Sequence, residues 1–105
     1  MGQHTLKITI TEGEHGATIK LEGRIAGPWA AELGRTWKEK GPALANQKLS
    51  LDLRGVTYAD AMGTETLREI YNQTGASFIA GDPWTHFLAE QAMSAQPVSE
   101  GAFGR

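Results

Sequence analysis

Two aspartates, Asp52 and Asp60, have the residue type and spacing that could support chemistry, because paired carboxylates can act together as general acid and base. Asp52 falls on the polar phase of a predicted strand, and Asp60 falls where that region gives way to a helical pattern. An aspartate at a helix start accepts the free N–H groups of the first turn. We therefore interpret Asp60 as a helix cap, either alone or with a second role in recognition. Acid–base catalysis would require an apolar pocket and another titrating group, which the sequence does not supply, so we predict no enzyme.

Other catalytic and ligand-binding patterns are missing from the sequence. The histidines, at positions 4, 15 and 86, have no partner at metal-ligand spacing such as i, i+4, and there is no cysteine. No phosphate-binding GxxxxGK[ST] element occurs, and no serine lies in a GxSxG elbow. The sequence predicts neither a metal nor another cofactor.

Length and charge limit the classes of partner. The chain has 105 residues, which suits one domain, and a net charge of -2 from 10 basic and 12 acidic residues mixed along its length. This balance predicts no nucleic-acid or anionic-membrane partner. No stretch approaches the roughly 18 apolar residues of a membrane span, and the N-terminus does not resemble a signal peptide. We expect a cytoplasmic protein without direct membrane insertion.

Hydrophobic alternation predicts an N-terminal hairpin. Apolar and polar residues alternate over 5–11 (TLKITIT) and again over 17–23 (ATIKLEG), with a glycine-containing loop at 12–16 between them. Further strands are predicted at 49–53, where leucines alternate with polar residues, and at 77–80. A polar turn from 54 to 60 should follow the third strand.

Three helices are predicted between and after these strands. The first runs from Pro28 to Lys40, and Gly41-Pro42 should end it. The second opens near Ala61 and ends before Gly75. The third is capped by Asp82 and continues to about Met93. The expected buried residues of the second helix are Met62, Leu67, Ile70 and Tyr71, with an exposed apolar contact as the alternative for Met62. The tryptophans at 29, 37 and 84 are interpreted as core residues, with partial exposure of Trp29 at an interface as the alternative.

The predicted element order is strand, strand, helix, strand, helix, strand, helix. Strands joined through helices pair in parallel, whereas the hairpin strands pair antiparallel. The alternation within the strands indicates that the helices cover mainly one face of the sheet. We therefore predict an α/β domain over residues 1–93, with a four-stranded mixed sheet and about three helices, and a disordered tail over 94–105.

The segment 52–67, DLRGVTYADAMGTETL, resembles the signature of STAS domains, the family of bacterial anti-sigma factor antagonists and of the cytoplasmic tails of sulfate transporters. Asp52 matches the first aspartate of that pattern, Asp60 the second, and Gly63 the glycine that opens the helix. The resemblance covers roughly residues 5–93. It implies a STAS-like fold and a protein-binding function.

The sequence departs from the family pattern at one position. In the antagonists, the residue after the second aspartate carries a hydroxyl that a partner kinase phosphorylates, and here that residue is Ala61. Phosphorylation is therefore impossible at this position. Thr57, Thr64 and Thr66 lie nearby, but we interpret each as a turn or helix residue rather than an alternative acceptor.

The resemblance implies a protein partner that contacts the turn before the second helix and the loop beside it. The predicted contact residues are Tyr58, Asp60, Ala61, Met62, Gly63, Thr64, Gly27 and Trp29. A kinase-type anti-sigma factor is the first candidate partner. The alternative is a subunit of a membrane transport complex of the ABC type, to which this chain would be an accessory. A ligand receptor or enzyme on the same scaffold, and a structural part of a larger signalling assembly, are further hypotheses.

Overall fold

The computed structural model describes residues 5–44 and 46–94. Its elements are β1 (Leu6–Gly13), β2 (Gly16–Ile25), α1 (Pro28–Leu44), β3 (Leu49–Ala59), α2 (Ala61–Thr74), β4 (Ser77–Ile79) and α3 (Pro83–Met93). Of the tail predicted to be disordered, 94–105, only Ser94 belongs to the described residues. His4 also lies outside them. The predicted element order is confirmed.

The four strands form one mixed sheet in the order β1-β2-β3-β4. β1 pairs antiparallel with β2, whereas β2 with β3 and β3 with β4 are parallel. Helix α1 packs on β2, α2 on β2 and β3, and α3 on β3, with α2 between the other two helices. The α/β class and the mixed sheet are therefore confirmed.

The core lies between this helical layer and one face of the sheet. Alternate strand residues are buried there, in the order that the hydrophobic alternation predicts. They are Ala17, Ile19, Leu21, Leu49, Leu51 and Leu53, and they meet Leu33 and Trp37 of α1, Leu67 and Ile70 of α2 and Leu88 of α3.

The hairpin loop is shorter than predicted. Strand pairing continues to Gly13 opposite Gly16, so the loop consists of Glu14 and His15 rather than residues 12–16. Gly16 has φ 127°, and a Cβ there would lie 2.3 Å from the carbonyl oxygen of Lys48. Glycine suits this end of the strand because other residues tolerate neither this φ angle nor this close contact well.

Helix α1 continues past the predicted stop at Gly41-Pro42 and ends at Leu44. Gly41 is buried against the Trp37 ring, where a Cβ would lie 2.9 Å from Cε2. Pro42 has no backbone N–H, so the last turn of the helix lacks the hydrogen bond that residue 42 would donate to residue 38. Burial of Leu44, which is 2% exposed, stabilises the extra turn.

Strand β3 also runs beyond its predicted end at Leu53. Its second half pairs with the end of β2, Val56 with Gly23 and Ala59 with Ile25, so the predicted polar turn over 54–60 is mostly strand. The pairing contains irregularities on either side of the Glu22–Gly23 segment. Such irregularities interrupt the two-residue alternation from which strands are predicted. β4, in contrast, ends at Ile79, one residue earlier than predicted.

Helix α2 has the predicted bounds but a different buried set. Leu67 and Ile70 are fully buried, Tyr71 is half-buried against the Phe78 ring at 5.9 Å, and Met62 is 57% exposed. Met62 is therefore not a core residue, which agrees with the alternative of an exposed position, because the buried stripe of α2 is formed by Gly63, Leu67 and Ile70. Gly75 ends the helix in a left-handed conformation, as predicted from its glycine.

The three tryptophans differ in burial. Trp37 is a core residue whose Nε1 donates to Gln73 Oε1 at 2.9 Å. Trp84 is half-buried, and its Nε1 donates to the Val56 carbonyl at 3.0 Å. Trp29 is also half-buried, as its alternative of partial exposure predicts. None of the helices in the described part of the chain is long and apolar enough to cross a membrane.

Candidate recognition surface

The Asp60 carboxylate joins the start of α2 to the loop before α1. Asp60 Oδ1 accepts a hydrogen bond from the Gly63 N–H at 2.8 Å, and Oδ2 accepts one from the Gly27 N–H at 3.0 Å. The first bond caps the helix, as predicted. The second bond connects residues 33 positions apart in the chain, and it places Gly27 and the first residues of α1, Pro28 and Trp29, beside the turn.

The backbone strengthens this connection. The Asp60 N–H donates to the Ile25 carbonyl at 3.2 Å, and the Asp60 carbonyl accepts from the Thr64 N–H at 2.9 Å. At Gly63, a Cβ would lie 2.0 Å from the same Ile25 carbonyl oxygen. Only glycine fits there without moving the end of β2, so the glycine of the motif permits close packing rather than a special turn conformation.

The Asp60 carboxyl is held in its charged form. Hydrogen bonds from the Gly63 N–H, and then from the Gly27 N–H, lower the pKa of Asp60 below its ordinary value of 3.8, against a smaller opposing contribution from burial. A carboxyl that remains ionised at neutral pH is a good cap and a poor general acid. The geometry therefore favours a positioning role over acid–base catalysis.

The Asp52 carboxylate lies far from the Asp60 carboxylate. Seven strand residues separate the two, and a strand rises about 26 Å over these eight positions. Asp52 is 4% exposed and is held by Arg54, whose Nε donates to Oδ1 at 3.0 Å and whose Nη2 donates to Oδ2 at 2.9 Å. The Arg54 side chain is the main reason that the pKa of Asp52 is lowered. Asp52 thus forms a structural ion pair, and the paired-carboxylate interpretation is excluded by distance.

The outer surface of the turn is apolar and aromatic. Tyr58 is 42% exposed and Met62 is 57% exposed, with Ala61 exposed between them. The Arg24 guanidinium lies 4.5 Å from the centre of the Tyr58 ring, within cation–π distance. Arg24 was not predicted as a site residue, because its contact with Tyr58 depends on the strand register. We call Tyr58 to Met62 and Thr64, with Gly27, Trp29 and Arg24, the recognition surface. Gly63, which was also predicted as a contact residue, is buried beneath it.

The three nearby threonines all use their hydroxyl groups within the fold. Thr57 donates to the Gly23 carbonyl at 3.2 Å, Thr64 to that of Asp60 at 3.1 Å, and Thr66 to that of Met62 at 2.9 Å. These bonds agree with the interpretation of each threonine as a turn or helix residue. Among residues 5–44 and 46–94, no group of three or more His, Cys, Asp or Glu side chains is arranged to hold a metal ion.

Comparisons with known proteins give a match in fold only. No family model matches the sequence, and no curated protein matches it. The crystal structure of an anti-sigma factor antagonist from Mycobacterium paratuberculosis is similar, with a TM-score of 0.69 and 17% sequence identity over 83% of this chain and 77% of that one. This likeness confirms the STAS-like fold.

Proposed function

We propose that this chain is a non-catalytic protein-binding module, and that its recognition surface contacts the partner. The observation that carries the proposal is the Asp60 carboxylate, which ties two separate loops together with bonds of 2.8 and 3.0 Å and leaves exposed apolar side chains around them. Loops that are ordered before binding lose less conformational entropy when a partner docks.

The partner we propose is an anti-sigma factor of the kinase type. Support comes from the fold shared with a protein described as an anti-sigma factor antagonist. Further support comes from Tyr58, Met62 and Arg24 at the surface, since aromatic residues, methionine and arginine are enriched in protein interfaces. The alternative, an accessory role beside a transport subunit, remains a hypothesis that identification of the partner would test.

In this proposal the module has no phosphorylation switch at residue 61. A phosphoryl group at the start of a helix adds about two negative charges next to the Asp60 carboxylate and changes any surface formed there. Ala61 is exposed at that position and has no hydroxyl. The proposed module therefore binds its partner constitutively.

Two exposed apolar side chains on different helices give a matched test of the surface. Met62 is 57% exposed and belongs to the recognition surface, whereas Phe87 is 54% exposed on α3. In capture experiments with cognate kinase-type anti-sigma factors, we expect Met62→Glu to weaken binding at least about tenfold, as loss of an interface anchor does, and Phe87→Glu to leave it unchanged. Equal binding by both variants and the wild type would remove this surface from the proposal, as would binding lost only in Phe87→Glu.

Phosphorylation is tested separately. The wild type and Ala61→Ser are incubated with such a kinase and ATP, then digested and analysed by mass spectrometry. We expect phosphate on the introduced hydroxyl at position 61 of the variant and none on the wild type. Stoichiometric phosphate on Thr57, Thr64 or Thr66 of the wild type would contradict a constitutive module.

A further inference from the structure

A groove lies between the edge strand β1 and helix α1; it shares Trp29 with the recognition surface, and its other lining residues lie outside that surface. Its volume is about 640 Å³, and Leu6, Ile8 and Ile10 of β1 line one side of it, with Thr36 among the residues of α1 on the other. These three apolar side chains are half-buried, in contrast to the buried alternate residues of β2. The cause is the position of α1, which packs mainly on β2 and leaves β1 incompletely covered.

β1 also has an open edge, since it pairs only with β2 in the described sheet. An edge strand presents backbone N–H and C=O groups to a further strand, and proteins that keep such an edge unpaired usually place proline, bulges or charged side chains, above all lysine, on it. β1 carries one lysine, Lys7. β1 is eight residues long, contains no proline and pairs with β2 without a register shift. Its sequence and geometry suit strand addition.

We propose that the occupant of this edge is a second copy of the chain, with the two β1 strands antiparallel about a two-fold axis at Ile8. In that register Leu6 lies opposite Ile10 of the second copy, and Ile8 lies opposite Ile8. Lys7, on the other face of the strand, lies opposite Thr9, so no like charges meet. The two sheets then form one continuous sheet in which each copy contributes its four strands.

Charges on α1 fit the same axis. α1 runs alongside β1 in the same direction, because Leu6 at the start of β1 pairs with Gly23, shortly before α1 begins, and Glu12 near the end of β1 accepts from Gln47 Nε2 at 3.1 Å, shortly after α1 ends. Glu32 and Lys40 both line the groove, one turn before and one turn after Thr36. A two-fold axis near Thr36 therefore brings Glu32 of each copy towards Lys40 of the other, which makes the interface self-complementary.

The spacing permits these contacts. If each α1 lies over its own β2, three strand spacings separate the two helices, about 14 Å. That distance is too large for direct helix packing. A glutamate and a lysine that extend from opposite sides can cover it. Within one copy, Glu32 bonds to Arg35, whereas Lys40 has no ion-pair partner among residues 5–44 and 46–94. The second copy supplies Lys40 with that partner.

The test measures the mass of the full chain by sedimentation equilibrium from micromolar to millimolar concentration. We expect the wild type to reach twice 11.3 kDa. Glu32→Lys and Lys40→Glu should each weaken the dimer about tenfold, because each places two like-charged pairs across the axis. An equimolar mixture of the two variants should dimerise as well as the wild type, since both pairs are then opposite in sign.

Lys38→Glu is the matched control, because Lys38 is exposed on α1 and does not line this groove. It should leave the mass unchanged, and circular dichroism should show that all variants are folded. A wild type that stays monomeric at every concentration overturns the proposal, and so does a mixture that dimerises no better than the separate variants. These results are independent of partner capture, because no substituted residue belongs to the recognition surface.

Discussion

Helices α2 and α3 begin in the same way but serve different purposes. Each has an aspartate cap with extended backbone, Asp60 and Asp82, whose Oδ1 accepts from the N–H three residues later at 2.8 Å. In both, hydrogen bonds to the carboxylate lower its pKa. The difference lies in the remaining contacts, since Asp60 reaches the distant Gly27, whereas the Asp82 carboxylate bonds within its own turn.

The residue three positions after each cap explains the difference. In α3 it is Thr85, fully buried, whose hydroxyl bonds back to the Asp82 turn and completes a capping box. In α2 it is Gly63, which lies against the Ile25 carbonyl where no side chain fits. A self-contained cap serves only its own helix, whereas the α2 cap leaves one carboxylate oxygen for a second loop. The proposed recognition surface lies at the α2 cap, which joins two segments of the chain.

The strongest test copies the α3 cap into α2 with Gly63→Thr. The added side chain would collide with the end of β2, so we expect a loss of about 3 kcal/mol in the free energy of unfolding, measured with urea. Gly34→Ala is the control, since a Cβ there meets only Thr66 Cγ2 at 4.0 Å, and it should be neutral or slightly stabilising. A stable Gly63→Thr would show that the two caps are interchangeable.

The next effect concerns the capping aspartates themselves. Asp60→Ala removes a helix cap and also leaves the Gly27 N–H without its acceptor, so unfolding free energy should fall by about 2 kcal/mol. Asp82→Ala should cost less, because the Thr85 hydroxyl can still donate to the residue 82 carbonyl, 3.2 Å away. Urea titrations of both variants give the comparison, and equal losses would mean that the Gly27 bond contributes nothing.

The Thr85 hydroxyl of α3 should matter more for stability than the Thr64 hydroxyl of α2, which lies four rather than three positions after its cap. Thr85→Val removes the acceptor of the Gly81 and Asp82 N–H groups, at 2.9 and 3.1 Å, within a buried site, and we expect a loss of about 1.5 kcal/mol. Thr64→Val should change stability by less than about 0.5 kcal/mol. The Thr64 hydroxyl only shares an acceptor that the Thr64 N–H already uses. Thermal unfolding of both variants measures the difference.

The smallest effect is the pH dependence of the Asp60 contribution. A carboxyl whose pKa is lowered by folding stabilises the protein above its unfolded-state pKa, and this contribution is lost as the pH falls through the folded-state pKa. The stability difference between wild type and Asp60→Asn should therefore be constant near neutral pH and should shrink below about pH 4. Urea midpoints across this range provide the measurement. A difference that persists unchanged in acid would contradict the assigned hydrogen bonds.

Prediction from the sequence succeeded where the pattern is local. The hairpin, the α2 bounds and the aspartate caps at 60 and 82 follow from alternation and cap residues, and the structure confirms them. It failed where distant contacts override the pattern. Helix α1 passes Gly41-Pro42 because Leu44 is buried, and β3 continues to Ala59 because β2 offers it a partner.

For the candidate site, the amino-acid sequence is enough to identify the groups that are present: a capping Asp60, a Gly63 and an Ala61 without a hydroxyl. Two contacts become known from the folded chain alone: the second oxygen of Asp60 accepts from the Gly27 N–H, and the Arg24 guanidinium lies over the Tyr58 ring. The physical reason is the number of residues that separate the two partners along the chain. Capping depends on neighbours within one helical turn, whereas the Gly27 and Tyr58 contacts depend on strand register, which brings together residues that the chain separates.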